Sequence, residues 1–257
     1  MNPERPLVLC LSGHDPGGGA GIQADIEAIG ALGGHALTVV TAHTVQDSSN
    51  VFRVVAADPE LLQAQLDALL ADFKPRALKI GLLGSTGQVE LVAATLRRAG
   101  APAVLDPVLR AGGGADLAGP GLIERLRREL LPLVEVLTPN AAEARRLAPD
   151  AADLDGCGAA LLALGARHVL ITGGDEPGDP VVNRWFAADR SPRRYAWPRL
   201  SGLFHGAGCT LAAAIAALLA RGLPATAAVE DAQAYTHRTL QAAFAAGRGR
   251  MIPGRQA

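Results

Sequence analysis

No G-x-x-x-x-G-K run occurs in the chain, and no G-x-G-x-x-G run either. A Walker A phosphate loop and the common dinucleotide-binding turn are therefore both absent. Cysteine is scarce: Cys10, Cys157 and Cys209 cannot all pair within one chain and match no zinc-binding spacing. That excludes a disulfide framework and fits free thiols in a reduced, cytoplasmic protein. Aromatic residues reach only 4% while alanine is abundant, which suits closely packed helices. There is no excess of either charge, with 24 Lys and Arg against 25 Asp and Glu and a net charge of -1. Neither a nucleic-acid partner nor an anionic membrane surface is expected from that balance. The basic residues Arg248 and Arg250 read as a solvated tail. The apolar run over residues 7–11 follows polar residues and is too short for a signal peptide or a membrane span.

What is present is a chain of 257 residues, 49% hydrophobic, enough for one large α/β domain with a substantial core. No linker or internal repeat divides it, so residues 1–257 are expected to form a single domain. Short apolar runs alternate with longer stretches of helical periodicity. Strands are predicted over residues 7–12, 36–41, 77–82, 103–106, 134–138 and 168–172. Helices are predicted over residues 21–32, 59–73, 89–99, 122–131, 141–147, 158–164, 209–220 and 225–245, and an edge hairpin over 181–197. Strands joined by crossover helices make a mostly parallel sheet covered on both faces. Ligands of such sheets bind beyond the carboxyl ends of the strands.

The chemistry-bearing residues lie at those ends. After the first strand, the run from Gly13 to Gly21 (G-H-D-P-G-G-G-A-G) opens directly into a helix. It is either an anion-binding loop at a helix N-terminus or a flexible glycine-rich connection. Asp25 in that helix is either a ligand for a substrate hydroxyl or amine, or a first-turn acid favoured by the helix dipole. Asp106 ends a strand before Pro107. Glu143 stands three residues after Asn140, which is capping-box spacing, and with Asp106 it could hold Mg²⁺ through water. The run from Arg110 to Gly114 is a basic flap over phosphates or a simple turn. Gly206-Ala207-Gly208-Cys209 starts an apolar helix, and its backbone N–H groups suit the charge of a transferring phosphoryl group. Cys209 is either a general base whose pKa the helix start lowers or a buried thiol.

Residues 12–25, S-G-H-D-P-G-G-G-A-G-I-Q-A-D, resemble the first-loop signature of the hydroxymethylpyrimidine and phosphomethylpyrimidine kinases of the ribokinase-like superfamily. Four further segments match in the same order: Lys79-Ile80-Gly81-Leu82-Leu83, Asp106-Pro107-Val108, Thr138-Pro139-Asn140 with Glu143, and His205-Gly206-Ala207-Gly208-Cys209-Thr210. The resemblance implies a three-layer α/β/α ribokinase-like fold without a large lid, and an ATP- and Mg²⁺-dependent kinase of thiamine biosynthesis. It leaves open a monovalent cation and a homodimer. It implies a pyrimidine pocket at Gly13, Ala20, Asp25, Gln46 and Leu82, with Gln46 reading the ring nitrogen and amino group. On the nucleotide side it implies Asp106, Asn140, Glu143, Thr172 and Gly174, with Asp106 and Glu143 serving Mg²⁺. Gly206, Ala207 and Gly208 would form the anion hole and Cys209 would be the base. Ala207 stands where the family has Thr, and Thr172 where it has Lys. A pyridoxal kinase on the same scaffold is the alternative enzyme; a non-catalytic ligand-binding relative is the reading that Ala207 and Thr172 would support.

Overall fold

The computed structural model describes residues 5–110, 114 and 116–256. Among the described residues nine strands form one sheet in the order β3-β2-β1-β4-β5-β6-β7-β8-β9. Its centre is built from β1 (Leu7–His14), β2 (His35–Gln46), β4 (Ala77–Ile80), β5 (Ala103–Leu105), β6 (Val136–Leu137) and β7 (His168–Ile171). These pair in parallel, while β3 (Val51–Ala56) at one edge and β8 (Val181–Ala187) with β9 (Arg190–Trp197) at the other pair antiparallel.

The alternation of a strand sends its side chains to two different cores. In β1, Val8 and Cys10 face a layer made of α1 (Gly21–Ala31), α7 (Ala207–Ala220) and α8 (Ala225–Gln241). Leu9 and Leu11 face the other layer: α2 (Pro59–Asp72), α3 (Thr86–Ala99), α4 (Leu122–Arg125), α5 (Ala141–Leu147) and α6 (Leu154–Ala163). The result is the expected three-layer α/β/α arrangement. Every residue of α7 from Thr210 to Ala220 is buried. Its alanines let it lie against the sheet, α1 and α8 at once, because a helix apolar all round must be covered all round.

Several boundaries differ from the sequence reading. β2 runs five residues beyond Thr41, and the unexpected β3 pairs back on it as a hairpin. The helix predicted over residues 158–164 begins at Leu154, where the Asp153 carboxylate accepts the Gly156 N–H at 2.7 Å. The stretch expected as one helix from Leu122 is α-helical only to Arg125. It continues as a π turn over Leu126–Leu130 and a 3₁₀ turn over Leu131–Leu133, where Pro132 cannot donate. The last helix stops at Gln241; Arg248 is exposed and Arg250 partly so, as expected of that basic run, but beyond them Ile252 and Arg255 are buried. Among the described residues no helix is long and apolar enough to cross a membrane.

The packing of α7 generates a stability test. Ala213 is fully buried, and Ala64 lies exposed on α2. Ala213→Leu should lower the unfolding free energy by about 1–3 kcal/mol, whereas Ala64→Leu should stay within about 0.5 kcal/mol of wild type. Chemical denaturation of both variants measures the difference.

Candidate active site

All five parallel strands after β2 in the sheet order end at one edge, so the loops following β1, β4, β5, β6 and β7 gather there. Beneath them lies a buried polar group centred on Lys79 of β4, which has no exposed surface. Its ammonium nitrogen is 2.8 Å from Asp25 Oδ1 and 3.0 Å from Oδ2, and it donates to Ser12 Oγ at 2.8 Å. Ser12 in turn donates to Asp25 Oδ2 at 2.7 Å. Gly81 leaves the space this requires, since a Cβ there would lie 2.8 Å from the Lys79 ammonium. Burial works against the Lys79 charge, but Asp25, Cys209 and Asp106 together outweigh it and hold the pKa above the ordinary range. Asp25 is therefore not the first-turn acid that was one of its two readings. It lies beyond the first turn of α1, has no exposed surface and pairs with Lys79.

Above this group the first glycine loop is folded around Asp15. One carboxylate oxygen accepts the Gly17 N–H and the other the Ala20 N–H, both at 2.8 Å, and His205 Nε2 lies 2.8 Å from the second. Burial alone would raise the Asp15 pKa, but the His205 and backbone hydrogen bonds more than offset it and hold the carboxyl below its usual range. Asp15 and His205 thus tie the loop after β1 to the segment leading into α7. Gly206 completes the junction. It has φ of 85°, and a Cβ there would lie 1.9 Å from the Gly19 carbonyl, so only glycine allows the two loops to touch.

The start of α7 is open. No side chain caps it, and Gly206, Ala207 and Gly208 all retain exposed surface. The start of α5 at the same edge is closed: Asn140 and Glu143 form the capping box, and Asp175 accepts from the N–H groups of Ala141 at 3.1 Å and Ala142 at 2.9 Å. The start of α7, like that of α1, therefore keeps free N–H groups by which an anion would be stabilised.

The Gly21 N–H at the start of α1 and the Asp106 carboxylate lie close enough to the Cys209 thiol to influence its ionisation. The sequence argument expected a lowered thiol pKa here. Instead burial pushes it up to about 12; Lys79 and the Gly21 N–H pull it down, but Asp106 and Asp25 add to the rise. Two carboxylates and desolvation outweigh the helix start. The thiol retains some exposure, whereas Cys10 and Cys157 are buried.

Asp106 and Glu143 form the second half of the edge. Glu143 serves the capping box through Oε2, which accepts the Asn140 N–H at 3.0 Å, and reaches across with Oε1 to accept the Leu109 N–H at 3.2 Å. Burial raises the Asp106 pKa to about 6, with Lys79 opposing and Asp25 adding. Burial and the neighbouring Asp106 charge raise Glu143 to about 8. Among the described residues no three His, Cys, Asp or Glu side chains gather as a metal cage. Two buried, mutually repelling carboxylates do fit Mg²⁺, which takes one or two protein carboxylates and fills its remaining positions with water and phosphate oxygens. Asn140 and Thr172 bridge β6 to β7, with the Thr172 N–H donating to the Pro139 carbonyl at 2.9 Å, and Gly174 is exposed just beyond.

On the other side Gly13 and Leu82 are in contact range, since a Cβ on Gly13 would meet Leu82 Cδ2 at 3.0 Å; Ala20 caps α1 beside them. Gln46 stands apart, at the end of β2 and three residues past His43, the partner of His14. The candidate flap from Arg110 to Gly114 includes residues 111–113, which lie outside the described residues; Arg110 itself donates to the Gly114 carbonyl at 2.7 Å. Asp15 and His205 went unassigned in the sequence reading, although both sit inside the matched segments.

This edge and fold place the chain among the small-molecule vitamin kinases. It superposes on the pyridoxal kinase from Staphylococcus aureus in complex with ADP with a TM-score of 0.91 at 26% identity, covering 99% of this chain and 94% of that one. It superposes on the phosphomethylpyrimidine kinase from Clostridium difficile 630 with a TM-score of 0.79 at 30% identity, covering 92% and 100%. More narrowly, the chain belongs to the phosphomethylpyrimidine kinase family, whose model matches residues 15–253. A hydroxymethylpyrimidine/phosphomethylpyrimidine kinase from Rhizobium meliloti (strain 1021) is 40% identical over 242 residues, covering 92% of this chain and 91% of its own.

The raised carboxyl pKa values carry a sign that can be measured. Asp106 ionises near 6 instead of 3.8 and Glu143 near 8 instead of 4.5. A carboxyl whose folded pKa lies above its unfolded value costs stability as pH rises through that interval, and the cost persists above it. Ligand-free Asp106→Asn should therefore melt higher than wild type well above pH 6, by about 1 kcal/mol or more. The gap should close as pH falls below the ordinary carboxylate range, while turnover drops. A lower melting temperature above pH 6 would mean that the Lys79 ammonium needs the Asp106 charge more than the fold suffers from it.

Proposed function

We propose that this protein transfers the γ-phosphoryl group of ATP to 4-amino-5-hydroxymethyl-2-methylpyrimidine, and then to the resulting monophosphate, in thiamine biosynthesis. The observation that carries the reading is the uncapped start of α7 facing Cys209 and Asp106, within a chain whose family is that of the phosphomethylpyrimidine kinases.

In the first transfer a bond forms between the hydroxymethyl oxygen and the γ-phosphorus. The bridging P–O bond to the β-phosphate breaks, and ADP leaves with that electron pair. Such transfers need positioning and charge stabilisation more than covalent chemistry. The N–H groups at Gly206, Ala207 and Gly208 supply donors aimed at the charge on the transferring group. Asp106 and Glu143, with Asn140, Thr172 and Gly174 nearby, would hold the nucleotide side. Mg²⁺ bound there would neutralise phosphate charge. Gly13, Ala20 and Leu82 would line the pyrimidine side with Gln46 reaching over it, and Asp25 would act from below through Lys79. Cys209 would accept the hydroxyl proton. As it does so it would pass its own thiol proton to the neighbouring Asp106 carboxylate, so the sulfur need not be a thiolate beforehand.

Ala207 in place of Thr leaves the backbone donors intact, and Thr172 in place of Lys leaves Lys79 and the α7 start as positive groups at the edge. Those features favour a working enzyme over a non-catalytic relative.

Assays with ATP, Mg²⁺ and each acceptor test the reading directly. Both the hydroxymethylpyrimidine and its phosphate should yield ADP and a phosphorylated product. Turnover of pyridoxal alone would assign the chain to the alternative enzyme, and turnover of none would end the kinase reading.

The two acceptors also separate the role of Cys209. The hydroxymethyl group must lose a proton, whereas the phosphate acceptor of the second step attacks through an oxygen already deprotonated at pH 8. Cys209→Ala should therefore lower kcat for the hydroxymethylpyrimidine by about 10²–10⁴-fold and reduce the second step much less. Equal losses for both acceptors would show that Cys209 shapes the anion hole and is not the base.

A further inference from the structure

After α8 the chain turns back across the ligand edge as a strap. Phe244 and Ile252 exchange backbone hydrogen bonds of 3.0 and 2.9 Å. Between them, the Gly249 N–H donates to Ser48 Oγ and the Arg250 N–H to the Ser48 carbonyl, both at 2.9 Å, which holds the turn between β2 and β3 just beyond Gln46. The Met251 N–H donates to the Leu203 carbonyl at 2.8 Å, and the His205 N–H to the Met251 carbonyl at 2.9 Å, which holds the segment entering α7. The Gly254 N–H donates to Thr239 at 2.9 Å and the Tyr235 hydroxyl to the Arg255 carbonyl at 2.7 Å, fixing the strap on α8.

The strap ends in a side chain buried at the junction of the two loops. Arg255 is 1% exposed. Its Nε donates to Thr210 Oγ1 at 2.9 Å, and Thr210 donates onward to the Gly206 carbonyl at 2.8 Å. One terminal nitrogen pairs with Glu27 at 2.8 Å and reaches the Gly18 carbonyl at 3.5 Å; the other donates to the Gly19 carbonyl. Glu27 is 44% exposed and so anchors the outer side only. The inner contacts join a loop of three successive glycines, which has wide conformational freedom, to the first turn of α7. A planar guanidinium fork can hold several acceptors in fixed directions at once, which a lysine ammonium on a flexible stem cannot.

We propose that Arg255 is a positioning residue for phosphoryl transfer, locking the Gly18–Gly19 carbonyls against Thr210 so that the acceptor-side loop and the Gly206–Cys209 anion hole keep one spacing. The proposal rests on the kinase reading above. Arg255 touches no reacting atom; it acts through Gly18, Gly19 and Thr210. Displacement of reacting groups by about 1 Å can cost 10²-fold in rate, so loss of this lock belongs in kcat more than in binding.

The test compares full-length wild type, Arg255→Lys and Glu27→Gln by three measurements: turnover, equilibrium ATP binding, and amide hydrogen exchange over residues 15–22. Arg255→Lys should exchange faster across that loop and lose about tenfold or more in kcat, with ATP affinity changed far less. Glu27→Gln should match wild type in all three. If Arg255→Lys does not fold, Arg255→Ala assayed with added guanidinium takes its place; activity should return with guanidinium and not with sodium chloride of equal ionic strength. Faster loop exchange at unchanged kcat would make Arg255 a purely structural residue and overturn the proposal, as would unchanged exchange. Parallel loss of ATP binding and kcat would overturn it too. Should wild type phosphorylate no acceptor, the kinase reading fails by itself, and the exchange data still decide whether Arg255 locks the loop.

Discussion

The ion pair of Lys79 and Asp25 is the constraint on which the site depends. The chain has two lysines, Lys74 and Lys79, and the second is placed in the middle of the sheet with no exposed surface. Burying two opposite charges costs several kcal/mol per ion unless geometry is good and the remaining donors are used. Here both carboxylate oxygens lie within 3.0 Å of the ammonium, and Ser12 bridges the two groups. The excess positive field reaches Asp106 and Cys209, which share this pocket of low dielectric. Without it two carboxylates and a thiol would face each other with only helix dipoles between them. One cation thereby ties β1, α1, β4, β5 and α7 to a single electrostatic centre.

Around that centre the starts of α5 and α7 are treated differently. Asp175 closes α5 with its own carboxylate, while α7 has no side-chain cap. Glu143 contributes to both structure and charge: it completes the α5 cap and pins the Leu109 backbone, yet remains buried beside Asp106. The two readings offered for Glu143 from sequence are thus compatible, because a carboxylate has lone pairs to spare after accepting two N–H groups.

Much of this was legible in the sequence where the signal was local. The parallel core strands showed as apolar runs, α5 matched its predicted span of 141–147, and the α7 start was marked by Gly206-Ala207-Gly208. The β2–β3 hairpin was missed although Asp47-Ser48-Ser49-Asn50 is a turn signal, because exposed Val45, Phe52 and Val55 blur the alternation of an edge ribbon. The features that depend on distant partners did not show. The pairing of Asp25 with Lys79 did not show because nothing in its neighbourhood reveals a residue 54 positions away. Cys209 read as an acidic thiol because its helix start is local, whereas the carboxylates that raise its pKa come from α1 and the end of β5. Arg255 drew no reading because its acceptors lie at Gly18, Gly19 and Glu27.

That last separation has a consequence for how the molecule is made. Arg255 and Gly18 are 237 positions apart, among the longest-range contacts that a chain of 257 residues can form. During synthesis the sheet strands, α1 and the helix carrying Cys209 all emerge before the side chain that fixes the glycine loop. Contacts of such high sequence separation form late because loop closure must precede them. The glycine loop is therefore fastened only after the core contacts of shorter sequence separation have formed.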